Sequence, residues 1–155
     1  MSKPRAQQFA ITEDFPTDAL SWLMATCSKT LRERLAVRFA KAGYAVTPEQ
    51  WAILGRLGLE DGLSQQALAD RFHRSKVAAF QLISKLEKQG LVVRRPDPDD
   101  GRSNLVFLTE EGRAIQPALV TLAKENMTAA LEGISQDDLE TAKAVVRHII
   151  ANTSG

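Results

Sequence analysis

This 155-residue chain has little of what catalytic, secreted or membrane proteins carry. It has one cysteine, Cys27, so no disulfide framework can form within it, and a reducing cytoplasm is the expected setting. Two scattered histidines and that one cysteine make no metal site, and no cofactor is expected. No apolar run approaches the ~20 residues of a membrane helix. The opening residues, Met1 to Gln8, lack the apolar stretch of a signal peptide. There is no Ser/His/Asp grouping, phosphate loop or nucleotide fingerprint, which argues against an enzyme. No internal repeat or low-complexity tract is present.

What is there is ordinary for a globular protein: 44% apolar and 25% charged residues. One domain over residues 1–155 is expected, with enough chain for a core. The net charge of +1 says nothing about partners, but its distribution does. Residues 71–102 hold eight Lys/Arg against four acids, while the remainder holds 12 against 15. A basic segment on a slightly acidic body is either the footprint of a phosphate-binding face or a chance imbalance on a solvated surface.

Residues 1–16 have no clear period and read as a partly ordered arm. From Asp18 to Ala42, Leu20, Leu23, Met24, Cys27, Leu31 and Leu35 recur at helical spacing, and Gly43 is a plausible stop. Thr47-Pro48-Glu49-Gln50 is a strong helix start, with Thr as cap, Pro at the first helical position and Gln completing a capping box. Trp51, Leu54 and Leu57 mark the buried stripe of that helix. Ser64 caps a short helix with Leu68, Ala69 and Phe72 inward. His73-Arg74-Ser75 forms a turn, where His73 either meets phosphate or simply stays exposed. Ser75 caps a further helix to about Gln89, and Gly90 ends it.

Leu91–Arg95 and Asn104–Leu108 are β-prone, and the turn between them, Asp97-Pro98-Asp99-Asp100-Gly101-Arg102, is rich in Pro, Asp and Gly. This predicts a hairpin with one arginine near its tip. Thr109 opens another helix, with acids in its first turn and Pro117 either bending it or lying in its early turns. Ser135 starts a last helix with Leu139, Val145, Val146, Ile149 and Ile150 apolar.

Helix, turn, helix, then a charged hairpin is the layout of a winged helix-turn-helix. One helix enters the major groove and the loop reaches the backbone or minor groove. In the helix after Ser75, Ala79, Leu82, Ile83 and Leu86 form the core stripe. Lys76, Val77, Phe80, Gln81 and Ser84 lie opposite, flanked by Lys85 and Lys88. Lys can donate to guanine and Gln can pair with adenine, while Ser84 can bond a base or phosphate. Phe80 either touches a thymine methyl or leans onto the wing or the neighbouring helix. The DNA-binding candidates are Ser75, Lys76, Val77, Phe80, Gln81, Ser84 and Lys85 on the helix, with Arg94 and Arg102 on the wing.

Leu68-Ala69, Leu86-Glu87-Lys88-Gln89-Gly90-Leu91-Val92, Arg94-Arg95, the tip from Asp97 to Arg102, and Leu108-Thr109-Glu110-Glu111-Gly112 resemble the MarR family of bacterial transcription regulators. The resemblance is dense from Leu63 to Gly112. It implies a mainly α fold with a small β-hairpin wing. The winged helix-turn-helix part, 47–112, would be flanked by dimerisation helices at 18–42 and 113–153. It also implies a cytoplasmic homodimer on a pseudo-palindromic operator in double-stranded DNA. Many members are repressors released by a small aromatic or anionic ligand bound between the two parts. By the same resemblance Arg102 enters the minor groove and Asp100 is the acid that pairs with it and shapes the tip. An arginine there reads groove shape and A·T content. This chain departs from the family's frequent choices at four positions: Gly101 for arginine, Phe80 for Thr or Ser, Gln81 for Arg, and Ser84 for Asp. The scaffold matches while the reading surface is individual.

Trp22 and Trp51 fall on the helices that the family plan places near the ligand pocket, so they either line it or pack in the core. Some relatives sense peroxides through a cysteine on the first helix. Cys27 sits about a turn nearer the next helix, on the apolar stripe, and packing is the alternative to a redox role. Leu139, Val145, Val146, Ile149 and Ile150 at one end, with Leu20, Leu23 and Leu31 at the other, form the candidate dimer surface. Besides the DNA-binding regulator, two readings stand: a winged-helix protein-interaction module, to which Gly101 and Gln81 give room, and a cysteine-based redox-sensing regulator.

Overall fold

The computed structural model describes residues 16–72 and 74–154. The arm read over residues 1–16 lies, but for Pro16, outside the described residues, and so does His73. Among the described residues six helices and three strands follow in order: α1 (Pro16–Lys41), α2 (Pro48–Leu59), β1 (Leu63–Ser64), α3 (Gln65–Arg71), α4 (Lys76–Lys88), β2 (Val92–Pro96), β3 (Asn104–Leu108), α5 (Glu110–Ala130) and α6 (Gln136–Thr153).

Helix starts lie where the capping residues put them. The Thr47 hydroxyl accepts from the Gln50 amide, and the Gln50 side chain accepts from the Thr47 amide, closing the capping box. Ser64, Ser75, Thr109 and Ser135 cap α3, α4, α5 and α6 in the same manner, each accepting an amide three residues on. Such a cap contributes ~1 kcal/mol by satisfying an amide the helix leaves orphaned. Gly90, at φ +74°, turns the chain out of α4 into β2, a conformation that favours glycine.

The expected two-stranded hairpin is a three-stranded antiparallel sheet in the order β1-β3-β2. Val93 pairs with Phe107 and Arg95 with Leu105; on the other edge of β3, Leu63 pairs with Val106 and Ser64 with Leu105. Asp61 makes the extra strand possible. One of its carboxylate oxygens accepts from the Gly62 and Leu108 amides at 3.2 and 2.9 Å, and the other pairs with Arg113.

One core joins these elements. Phe39 of α1, Leu54 and Leu57 of α2, Leu68 of α3, Ile83 and Leu86 of α4, Val92 and Val106 of the sheet and Leu119 of α5 are fully buried. The apolar stripe of α1 behaves differently along its length. Leu35 is buried and Leu31 half-buried, whereas Leu20, Leu23 and Cys27 are exposed. Among the described residues nothing buries Cys27, because the N-terminal half of α1 runs past the core. In α6 no residue is buried: Leu139, Val146 and Ile149 are half-buried, and Val145 and Ile150 exposed.

Candidate nucleic-acid interface

The inner face of α4 is fixed by Ala79, Ile83 and Leu86, all buried, with Leu82 half-buried beside them. Helical geometry then turns Lys76, Val77, Phe80, Gln81 and Lys85 outward, and all five are exposed. Ser75 is exposed at the helix start, where its hydroxyl holds the Ala78 amide at 3.1 Å. That end of α4 carries the positive pole of the helix dipole.

Ser84 and Arg94 are placed otherwise than the base- and phosphate-contact reading expects. Ser84 is half-buried and accepts a hydrogen bond from Arg94 Nη2 at 2.9 Å. The Arg94 side chain, only 13% exposed, points from β2 onto α4. Its Nη2 also donates to the Phe80 carbonyl at 3.3 Å and to Gln65 Oε1 at 3.2 Å, and its Nη1 pairs with Glu87. The guanidinium carbon lies 4.7 Å from the centre of the Phe80 ring. One arginine thus ties α3, α4 and the wing together, and its donors are used inside the protein. The strand alternation accounts for this: Val92 and Arg94 face the helices while Arg95 faces the other way, its guanidinium 5.0 Å from the Phe107 ring centre.

At the wing tip the three aspartates differ in their bonds. Asp97 holds the Asp99 amide at 2.9 Å and the Ser103 hydroxyl at 3.5 Å. Asp100 accepts the Arg102 amide at 3.1 Å, and its carbonyl accepts the Ser103 amide at 3.0 Å. Asp100 shapes the tip through the Arg102 backbone; no ion pair joins the two side chains among the described residues. The Arg102 side chain is exposed.

A cavity of about 250 Å³ opens where α1 passes α2, α3 and α4. Leu35, Trp51, Leu68, Phe72, Ala79 and Leu82 line it, with Arg32, Glu49 and Arg74 among its polar lining residues. Glu49 stands between the two arginines, 3.8 Å from Arg32 and 4.0 Å from Arg74. Trp51 is half-buried, its ring edge-on to Phe39 with centres 6.1 Å apart. Trp22 is 44% exposed and does not line this cavity.

Sequence reasoning missed Arg32, Glu49 and Arg74 as a group, because α1, α2 and the turn before α4 carry them and no spacing marks the set. It also missed the Arg94 partners Gln65 and Glu87. The signal available was the Gly90 turn, which folds β2 back along α4 and brings residues seven apart face to face. Among the described residues no three His, Cys, Asp or Glu side chains gather as a metal site, and no helix is long and apolar enough to cross a membrane.

A capped helix-turn-helix with a basic outer face, followed by an antiparallel wing that ends in an exposed arginine, defines a winged helix-turn-helix protein. The MarR family matches over residues 46–103. The chain is 28% identical over 107 residues to the uncharacterised HTH-type transcriptional regulator YybA of Bacillus subtilis, covering 69% of this chain and 71% of YybA. The solved structure of a probable transcriptional regulator from Pseudomonas aeruginosa is similar at 32% identity and a TM-score of 0.69, covering 82% of this chain and 96% of that one. The S. aureus MepR–DNA complex shares the fold at 24% identity and a TM-score of 0.78, over 85% of this chain and 96% of MepR. The chain belongs to the MarR family and is a DNA-binding transcriptional regulator, not an enzyme.

Proposed function

We propose that the protein is a homodimeric, sequence-specific regulator. In this reading it grips a pseudo-palindromic operator with residues 47–112 and dimerises through helices at 18–42 and 113–153. The observation that carries this reading is the pairing of the exposed α4 face with the exposed Arg102 at the wing tip. Lys76, Gln81 and Lys85 have the chemistry to meet base edges and phosphates in the major groove, and Arg102 extends to the adjacent minor groove. The S. aureus MepR structure, which shares the fold, is a complex with DNA, which supports this use of the surface.

The exposed apolar residues of α1 and α6 support the dimer. Leu20, Leu23, Val145 and Ile150 are each 45–55% exposed, and burying the remaining half of each against a second copy would contribute roughly 0.7–1.5 kcal/mol per side chain. Cys27 then packs in the interface rather than acting as a redox centre. In such a dimer each α4 occupies one half-site, with centres ~34 Å or ~10 bp apart.

The cavity beside Trp51 suits a small aromatic anion, with apolar walls for the ring and Arg32 and Arg74 for the charge. A ligand there wedges between α1 and the α3–α4 unit, which would change the angle of the reading helices and release the operator. The protein then acts in the cytoplasm as a repressor that a small molecule relieves. Selecting bound fragments from the source genome tests this reading. Recovery of one inverted repeat with ~10 bp between half-site centres is the expected result. A set of fragments with no shared sequence contradicts it.

A further inference from the structure

The outward face of α4 is not uniformly polar. Val77 is 66% exposed and Phe80 53% exposed, one helical turn apart, with Lys76, Gln81 and Lys85 around them. The Phe80 ring has a backing. Arg94 is stacked 4.7 Å from its centre and is itself held by Ser84, Gln65, Glu87 and the Phe80 carbonyl. The ring is thus stiffened by a group that cannot itself swing outward. The basic flank matches an anionic duplex, and the major-groove edge of a base pair offers one apolar group, the C5-methyl of thymine.

We propose that Val77 and the Arg94-backed ring of Phe80 form a preassembled reader of pyrimidine C5-methyl groups in the major groove, with Arg94 as its positioning residue. The inference rests on the DNA-binding reading above and adds the chemistry that α4 selects. Phe80 and Val77 side chains form no hydrogen bonds with a base edge, so their selectivity lies in the methyl group alone. 5-Methylcytosine carries the same methyl at the same place as thymine. Methylation of a cytosine at the contacted position therefore raises affinity.

The test uses the whole protein and a duplex selected from random sequences. Thymines are replaced one at a time by deoxyuridine, which removes the methyl and keeps the base pair. Binding is expected to weaken about fourfold per half-site at one or two symmetry-related positions, the worth of one buried methyl. At the same position cytosine should bind worse than 5-methylcytosine. Phe80→Ala should abolish the deoxyuridine penalty. Arg94→Gln should shrink that penalty while leaving the salt dependence unchanged, since a positioning residue neutralises no phosphate. Salt-dependent binding that is indifferent to deoxyuridine at every thymine overturns the inference and leaves the regulator reading standing. A penalty that persists in Phe80→Ala assigns the methyl contact elsewhere and also overturns it. A fall of about one in the salt slope of Arg94→Gln marks Arg94 as a phosphate ligand and overturns its positioning role. Absence of any salt-dependent binding by the wild-type protein overturns both readings.

Discussion

Gly112 and Leu91 are in such close approach that a Cβ on Gly112 would stand 2.1 Å from the Leu91 carbonyl oxygen. The first turn of α5 therefore lies directly against the chain entering β2. Thr109 locks the same junction: its hydroxyl donates to the Gly90 carbonyl at 2.6 Å and its amide to the Leu91 carbonyl at 3.1 Å. This joint fixes where the long helix leaves the winged part.

Backbone must move to admit a side chain at Gly112, so Gly112→Ala is expected to destabilise the protein by about 2–4 kcal/mol. Gly55, inside α2, has nothing within 4 Å of a built Cβ, and Gly55→Ala should stabilise by about 0.5–1 kcal/mol. Chemical denaturation of both variants beside the wild type checks the pair. Equal effects would show that the Gly112–Leu91 approach carries no energy.

Arg102 is the exposed arginine of the tip, so Arg102→Ala is expected to weaken operator binding by about 1–3 kcal/mol without lowering stability. Wild-type affinity in that variant would show that the wing does not touch DNA. Gln81→Ala should relax preference at one base position in each half-site, read by repeating the sequence selection.

The dimer surface predicts a change in mass. Ile150→Asp combined with Leu23→Asp puts carboxylates into the apolar faces of α6 and α1, and sedimentation should report a monomer. Operator affinity should fall with it, because two half-sites are then no longer bound by one linked unit. Cys27 adds an independent readout: its thiol should react slowly with an aromatic disulfide in the wild type and quickly in the double variant. A dimer that survives both aspartates places the interface elsewhere.

Glu49 stands within 4.0 Å of both arginines among the cavity's lining residues and offsets part of their charge. Glu49→Gln removes that competitor, so binding of an aromatic carboxylate such as benzoate should tighten about tenfold or less. Trp51 fluorescence follows the binding, with Trp51→Phe as the blank that removes the Trp22 contribution. Unchanged affinity would show that the ligand charge does not meet Arg32 and Arg74.

The sequence made the helix starts legible because caps are local chemistry: Thr47, Ser64, Ser75, Thr109 and Ser135 each bond an amide three residues away. The core stripe of α4 was legible for the same reason, as Ala79, Ile83 and Leu86 follow one period. Strand β1 was not, since two residues carry no period and the strand exists only through its pairing with β3 and the bonds of Asp61. The mutual bond of Arg94 and Ser84, both candidates for DNA contact, was not legible. An arginine in a short strand can face either side, and the four partners that draw it inward lie up to 29 residues away. The apolar stripes of α1 and α6 were legible as stripes, but a stripe does not say whether its own chain or another covers it.

The central claim is that α4 and the wing grip duplex DNA, and the salt dependence of binding tests it most directly. Binding of the wild-type protein to mixed genomic fragments is measured across a series of salt concentrations. The account predicts that log affinity falls linearly with log salt, through release of phosphate counterions, with a tighter fraction confined to particular sequences. Absence of salt-sensitive binding even at low ionic strength would contradict it.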